Sequence, residues 1–375
     1  MIYLDYSANT PVDEAVLQRF CEVERNCPGN ANSRHAAGTA AKAAIDAATQ
    51  SIARSLNVQP AEIIYTSGAS EANNFAIKSI ARLERHHGRH IISTPLEHSS
   101  VSGSLTALQE QGYEIDLVDI RQDGTVDLAH LKELLRPDTI LVAVTAVDSE
   151  LGVVQPVQEI AEILKEYPHC HLHVDATQAV GKIPVSFEGV DTMSLTAHKF
   201  YGLNGIGLLL KRRNLALEPL IHGGESTTIY RSGTPTVALA SSLALALELA
   251  VEQLPEHAEA VQKANAFLRT ELAKYPKVRI NSPESAIPHI LNLSVQDVKG
   301  TVFQRELNEE GVCVSVKSAC SSDGLPSRAV FAVSRDRRNA LSSWRVSLSH
   351  RTTEEDLRGF LAAFDRCYRG LTETK

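Results

Sequence analysis

The sequence predicts an α/β protein with a mainly parallel central sheet, followed by a smaller α+β unit. Three observations carry this. Short β-rich runs alternate with longer helical patterns over most of the chain, the arrangement that βαβ units require. Near residue 250 the texture changes to one long charged helix and then spaced strands. The 375 residues, 43% hydrophobic and 22% charged, suffice for about two buried cores.

The elements follow in order. Strands are expected at 62–66, 90–93, 140–145, 171–174, 192–195 and 207–210, each a short run rich in apolar or β-branched residues. Helices are expected at 70–84 and 157–166, where apolar residues recur at helical spacing. The run 237–251 is the most apolar. It is shorter than the roughly 20 residues a membrane span needs, and Glu248 lies inside it, so it reads as a buried Ala/Leu helix. Beyond it come a helix at 255–275, strands at 289–295 and 312–316, a polar segment at 321–343, a strand at 344–349 and a helix at 353–369. This divides the chain into a large domain (15–250) and a small C-terminal domain (251–375), with residues 1–14 packing on the small one.

Composition excludes several classes. With 37 basic and 45 acidic residues, the net charge of −8 argues against direct nucleic-acid binding. Six cysteines are too few for a disulfide scaffold. Met1 leads at once into Ile2-Tyr3-Leu4-Asp5 without a targeting pattern. A cytoplasmic protein with reduced thiols is expected.

The strand ends hold the chemistry, because ligands of open α/β sheets gather beyond the strands' carboxyl ends. Ser67-Gly68-Ala69-Ser70 joins a strand to a helix. Free N–H groups there suit a phosphate, although turn and cap roles explain the same residues. Glu97-His98 offers an imidazole that could stack on a ring or shuttle protons. Asp175 ends the 171–174 strand, as a partner for a buried cation or as a helix cap. His198-Lys199 follows the next strand, and a lysine enclosed there suits Schiff-base chemistry. The cluster His169-Cys170-His171-Leu172-His173 also looks like a metal site. Alternation along a strand splits its faces, and the sequence shows no second ligand pair.

Taken together, these pieces resemble the class V aminotransferase-like proteins, fold-type I enzymes of pyridoxal 5'-phosphate (PLP), and within them the NifS/IscS-type cysteine desulfurases. The matching residues run in family order along nearly the whole chain: Tyr3 to Pro11, Gly29-Asn30, Ser33-Arg34-His35, Thr66 to Glu71, Glu97-His98 and His173 to Gln178. They continue with His198-Lys199, Tyr230 to Thr234, Ser318-Ala319-Cys320 and Trp344 to Leu348.

The resemblance implies a role for each. Lys199 holds PLP and moves the substrate α-proton. Asp175 pairs with the pyridinium nitrogen, Gln178 with the ring oxygen, and His98 stacks on the ring and aids proton transfer. Ala69, Ser70, Thr196 and His198 hold the phosphate, with Thr234 entering from the second subunit of a homodimer. Asn30, Ser149 and Arg345 bind the substrate carboxylate. Cys320, on a mobile loop over 321–338, takes the sulfur of L-cysteine as a persulfide, releases alanine and passes the sulfur to an acceptor protein. The other thiols, Cys21, Cys27, Cys170 and Cys367, lie in helix or strand patterns, and Cys313 is a strand residue or a resolving thiol.

Two positions depart from the family pattern. Ser149 stands where an Asn is usual, and Lys317 replaces a glycine beside the Cys320 motif, either lowering the thiol pKa or pointing to solvent. Arg335-Asp336-Arg337-Arg338 is a basic stretch, read as a solvated loop or an acceptor contact. The chain ends soon after its last helix, whereas housekeeping members carry a longer tail for the iron–sulfur scaffold. Iron–sulfur assembly, tRNA thiolation and other routes therefore stay open. So do a selenocysteine lyase and a non-catalytic PLP-binding regulator.

Overall fold

The computed structural model describes residues 1–224, 226–317 and 325–373. The chain enters through β1 (Ile2–Tyr3), α1 (Glu14–Asn26) and α2 (Ala36–Leu56). Alternation then begins with β2 (Ile63–Thr66), α3 (Ala69–Glu84), β3 (His90–Ser93), α4 (Ser99–Gln109), β4 (Glu114–Leu117) and α5 (Leu128–Leu134). It continues with β5 (Thr139–Thr145), α6 (Val157–Leu164), β6 (His171–Asp175), β7 (Thr192–Thr196) and β8 (Gly207–Lys211).

These strands form one seven-stranded sheet in the order β2-β8-β7-β6-β5-β3-β4. It is parallel from β7 to β4, and β8 runs antiparallel to both its neighbours. Every residue of β5 is buried, as a central strand covered by helices on both faces requires. β4 is one of the two edge strands and none of its residues is buried. Its Glu-Ile-Asp-Leu pattern is too short and polar to stand out in the sequence.

The Ala/Leu helix α7 (Val237–Glu252) lies in the main core, with Leu243 and Leu247 fully buried. It turns by 66° into α8 (Leu254–Leu272). Among the described residues no single helix is long and apolar enough to cross a membrane. The remaining elements are β9 (Val278–Ile280), β10 (Ile290–Val295), α9 (Gly300–Glu309), β11 (Val312–Cys313), α10 (Arg328–Ser334), α11 (Arg337–Ser342), β12 (Ser343–Ser347) and α12 (Glu354–Thr372). β10 pairs antiparallel with β9 and β12. A second core forms here around Trp344, Phe303 and Phe364, with the Phe303 and Trp344 rings stacked at 5.1 Å. Leu4 belongs to this core, and β1 pairs with β11.

Two expectations need correction. The strand expected at 312–316 is paired only over Val312–Cys313, because β1 offers just two residues to pair with. Ser315 instead bridges to Arg345. The polar stretch beyond 321 is not a loop throughout. Ser327 and Asp336 cap α10 and α11, their side chains accepting from backbone N–H groups, and Ala329, Val330 and Ala332 are buried in the main core. The basic run 335–338 is therefore a helix–helix joint, with Arg335 in left-handed conformation (φ 52°) ending α10.

Candidate active site

Asp175 and Thr196 are the last residues of adjacent parallel strands β6 and β7, and Lys199 follows one short turn later. The strand topology thus brings them to one end of the sheet, where α3 also starts. A cavity of about 330 Å³ opens there. It is lined by Ala69, Ser70, His98, Ser149, Asp175, Gln178, Thr196, His198, Lys199 and Arg345. Ser7, Ala8 and Thr177 complete much of the wall.

The α3 end is an anion cradle. Gly68 adopts φ 153°, and the chain passes so close to β8 that a side chain at Gly207 would meet Gly68 Cα at 2.7 Å. Both glycines are needed for that approach. The N–H groups of the first helical turn have no partner within the helix and favour negative charge. Thr196 Oγ1 lies 3.1 Å from His198 Nδ1. Burial beside Lys199 and Lys182 pulls the His198 ring down to about 4, so it enters the site neutral. From outside, Glu71 accepts from the Ser67 N–H (2.7 Å) and from Arg231 Nε (3.0 Å), bracing the turn.

Asp175 is fixed by its surroundings. Its Oδ1 accepts from the Thr177 N–H at 2.9 Å, and its Oδ2 from Asn73 Nδ2 at 2.8 Å. Asn73 is held in turn, because its Oδ1 accepts from His173 Nε2 (3.0 Å) and from the Ser194 hydroxyl. Burial pulls His173 down to about 4. The neutral imidazole accepts at Nδ1 from Thr192 and donates at Nε2, which fixes the Asn73 amide with its NH₂ toward Asp175. Asn73 is the main residue that sequence reasoning missed. Its signal was a polar residue among Ala72, Phe75 and Ala76 on the buried face of α3.

Lys199 Nζ donates to the Ser7 and Ala8 carbonyls at 2.7 and 2.6 Å. The N-terminal segment reaches the site by way of Thr10, whose N–H and hydroxyl both donate to the His198 carbonyl at 3.0 Å. His98 caps α4, with its Nδ1 2.9 Å from Ser100 Oγ. Burial lowers its pKa, the Asp175 charge opposing and Lys199 assisting. Beside it, burial raises the Glu97 carboxyl to about 8.

A second buried cation also went unread. Lys182 donates to Gln178 Oε1 at 3.0 Å, and Gln178 Nε2 donates to the Ser7 carbonyl at 2.9 Å. Burial, with Lys199 and Arg345 nearby, pulls its amine from 10.5 down to about 7. The unfolded chain therefore keeps this proton to higher pH than the folded one. Folding is penalised fully below about pH 7, and the penalty fades as pH rises toward about 10.5. Lys182→Met should raise the Tm of the chain without bound ligand at about pH 6 and leave it near wild type at about pH 10. An equal Tm for both proteins at the lower pH contradicts this.

The Arg345 guanidinium is 2% exposed, a strongly desolvated cation. Its Nη1 donates to the Ser149 carbonyl (2.6 Å) and its Nη2 to Asp5 Oδ1 (3.0 Å), while the buried Nε has no partner. Guanidinium N–H groups thus remain to be satisfied, the Nε one among them, on a residue lining the cavity that also holds the Thr177 hydroxyl, buried and without a hydrogen bond. Around Ser149, burial raises Asp148 to about 7 and also raises Glu150, whose carboxylate Lys317 favours. For the L-cysteine substrate that the resemblance implies, Ser149→Asn, which extends an amide from this wall, should lower KM about tenfold by adding a hydrogen bond to its charged carboxylate. Steady-state kinetics check this, and an unchanged KM removes the residue at 149 from carboxylate recognition.

Not every expected residue meets here. Asn30 lies in the α1–α2 connection, with its Oδ1 accepting from the Asn32 N–H, and does not line the cavity. Thr234 lines a neighbouring cleft with Thr66, Ser67 and Arg231. Cys320, with Ser318 and Ala319, lies outside the described residues. Among the other thiols, burial pushes Cys170 strongly upward and Cys367 to about 11. Both stay protonated at neutral pH.

The donor set matches one kind of ligand. A helix N-terminus with hydroxyls suits a phosphate, an oriented carboxylate suits a cationic ring nitrogen, and a lysine between them suits a carbonyl. A family model for class V aminotransferases matches residues 2–360. The chain is 37% identical to a cysteine desulfurase IscS of Dictyoglomus turgidum, covering 97% of this chain and 94% of the relative. It is 36% identical to a NifS/IcsS protein homolog of Lactobacillus delbrueckii subsp. bulgaricus, covering 98% and 97%. A solved NifS-like protein superposes with a TM-score of 0.93 at 34% identity, covering 99% of this chain and all of the other. SspA, solved in complex with cysteine, gives a TM-score of 0.83 at 30% identity over 94% and 100%. The strand-end order of turn, acid and lysine and these likenesses lead to one assignment: the chain belongs to the class V aminotransferase family, among its NifS/IscS-type cysteine desulfurases.

Proposed function

We propose that this chain is a PLP-dependent cysteine desulfurase that takes sulfur from L-cysteine onto Cys320 and releases alanine. The observation that carries this reading is the convergence of Lys199, the braced Asp175 and the α3 N-terminus on one cavity. Ala69, Ser70, Thr196 and His198 would hold the cofactor phosphate. Asp175 would pair with the ring nitrogen, Gln178 with the ring oxygen, His98 with the ring face, and Lys199 with the carbonyl. PLP, when bound, supplies the electron sink that such a bond cleavage needs.

The chain's residues do the rest. Arg345, with Ser149 beside it, holds the substrate carboxylate. The Lys199 amine takes the α-proton, and His98, held neutral by burial, can accept or return a proton. The Cys320 thiolate attacks the substrate sulfur. An S–S bond forms as the Cβ–S bond breaks, the bonding electrons stay with carbon, and that carbon is protonated as alanine leaves. Sulfur then moves from Cys320 to an acceptor protein. Thr234 does not line the cavity of its own chain, which supports a homodimer in which it serves the neighbouring phosphate.

The test is product analysis with L-cysteine and with L-selenocysteine. A desulfurase dependent on Cys320 yields alanine from cysteine in the wild type and loses that yield in Cys320→Ala. Turnover of selenocysteine that survives Cys320→Ala, with no turnover of cysteine, would establish a selenocysteine lyase instead.

A further inference from the structure

The histidines of the 169–173 segment serve different ends. His173 is buried in the Asn73 network, but His169 and His171 stand at the opposite end of β6 from Asp175. They meet there the residues that close α3. Glu84 Oε2 lies 2.7 Å from His87 Nδ1, and the His86 and His87 rings are 3.9 Å apart. The His87 ring stacks on His169 at 3.7 Å, inclined by 17°. His171 Nε2 lies 3.5 Å from the other Glu84 oxygen, and its Nδ1 3.6 Å from Asp191. One donor atom each from Glu84, His86 and His87 falls within 4.8 Å of the others. The donor group thus comes from the end of α3 and the loop after it, with His169 and His171 packed beside it.

We propose that Glu84, His86 and His87, with the His169 ring stacked on His87, form a binding site for a divalent transition metal ion of the zinc class. Imidazole and carboxylate donors suit zinc, nickel or copper rather than calcium or magnesium. A tetrahedral zinc ion with bonds of about 2.0–2.1 Å sets its ligands roughly 3.4 Å apart, so rotation of the exposed His86 side chain closes the site. His171 then acts behind the ligands, orienting Glu84 from its second oxygen, as outer partners do in metal sites.

The site closes the end of α3 where it meets the entry of β6. α3 begins at Ala69 beside the cavity and has 16 residues, or about 24 Å of helix. The ion would hold the cradle helix from its far end, too distant to touch the reaction.

Zinc chloride titrated calorimetrically into the PLP-loaded, metal-stripped full chain tests this. The expected result is one ion per chain at micromolar affinity or tighter. The double variant His86→Ala/His87→Ala should weaken binding at least tenfold, Cys320→Ala should leave it unchanged, and cysteine turnover of the double variant should stay within twofold of wild type. No binding by the wild type, binding unaltered in the double variant, or binding lost only in Cys320→Ala overturns the proposal.

Discussion

Lys199→Ala should reduce cysteine turnover by about 10³-fold or more, the scale of losing a nucleophile that also transfers protons. The expected loss follows from position. Lys199 sits in the turn after β7, and Thr10 ties that turn to the N-terminal segment. Its amine already lies against the Ser7 and Ala8 carbonyls, 2.7 and 2.6 Å away, so it is held at the cavity wall. Lys199 belongs to none of the hydrophobic cores, and the variant should fold. Cofactor affinity should fall only in part, because the α3 cradle and Asp175 remain. Turnover by Lys199→Ala within tenfold of wild type would falsify the role given to the amine.

Cys320→Ala should reduce sulfide and alanine formation from L-cysteine by about 10²-fold or more while leaving the visible absorbance of the bound cofactor unchanged. Only this thiol has the family motif, and two of the others are poor nucleophiles. Burial holds Cys170 and Cys367 protonated, and a thiolate is the reactive form. Cys170→Ala and Cys367→Ala should keep cysteine turnover within about twofold of wild type. Cys313 pairs in β11 against β1, so Cys313→Ala should do the same. A large loss in Cys313→Ala together with normal turnover in Cys320→Ala would reverse their roles.

Much of this architecture was legible in the amino-acid order. Strand-end residues announce themselves because a βαβ fold places turns, caps and chemistry at one edge. Ser67 to Ser70, Asp175 and His198-Lys199 could be found that way. Asn73 could not be assigned a function from sequence, because its worth depends on His173 and Ser194, distant in the chain and adjacent in the sheet. Nothing in the sequence around Lys182 marks it as special, and only the packing reveals it as a buried amine. The helices α10 and α11 were hidden by their shortness, seven and six residues, and by caps, Ser327 and Asp336, that resemble loop residues until their N–H partners are seen. Asn30 is the opposite case. Its family motif is present, but in this chain the residue folds back on Asn32 rather than into the cavity.

The metal site has the same origin. His169 and His171 are visible as a cluster, but His86 and His87 lie more than eighty residues earlier. Parallel sheet topology alone, with β3, β5 and β6 side by side, brings the groups together.

The central claim is that sulfur from cysteine passes through Cys320. The most direct measurement is peptide mass spectrometry of the PLP-loaded chain after brief exposure to L-cysteine, with persulfides trapped by alkylation. The expected result is one added sulfur atom on the peptide carrying Cys320, dependent on Lys199 and reversed by a thiol reductant. Alanine formed at full rate with no added sulfur on that peptide, or with sulfur on another cysteine, contradicts it.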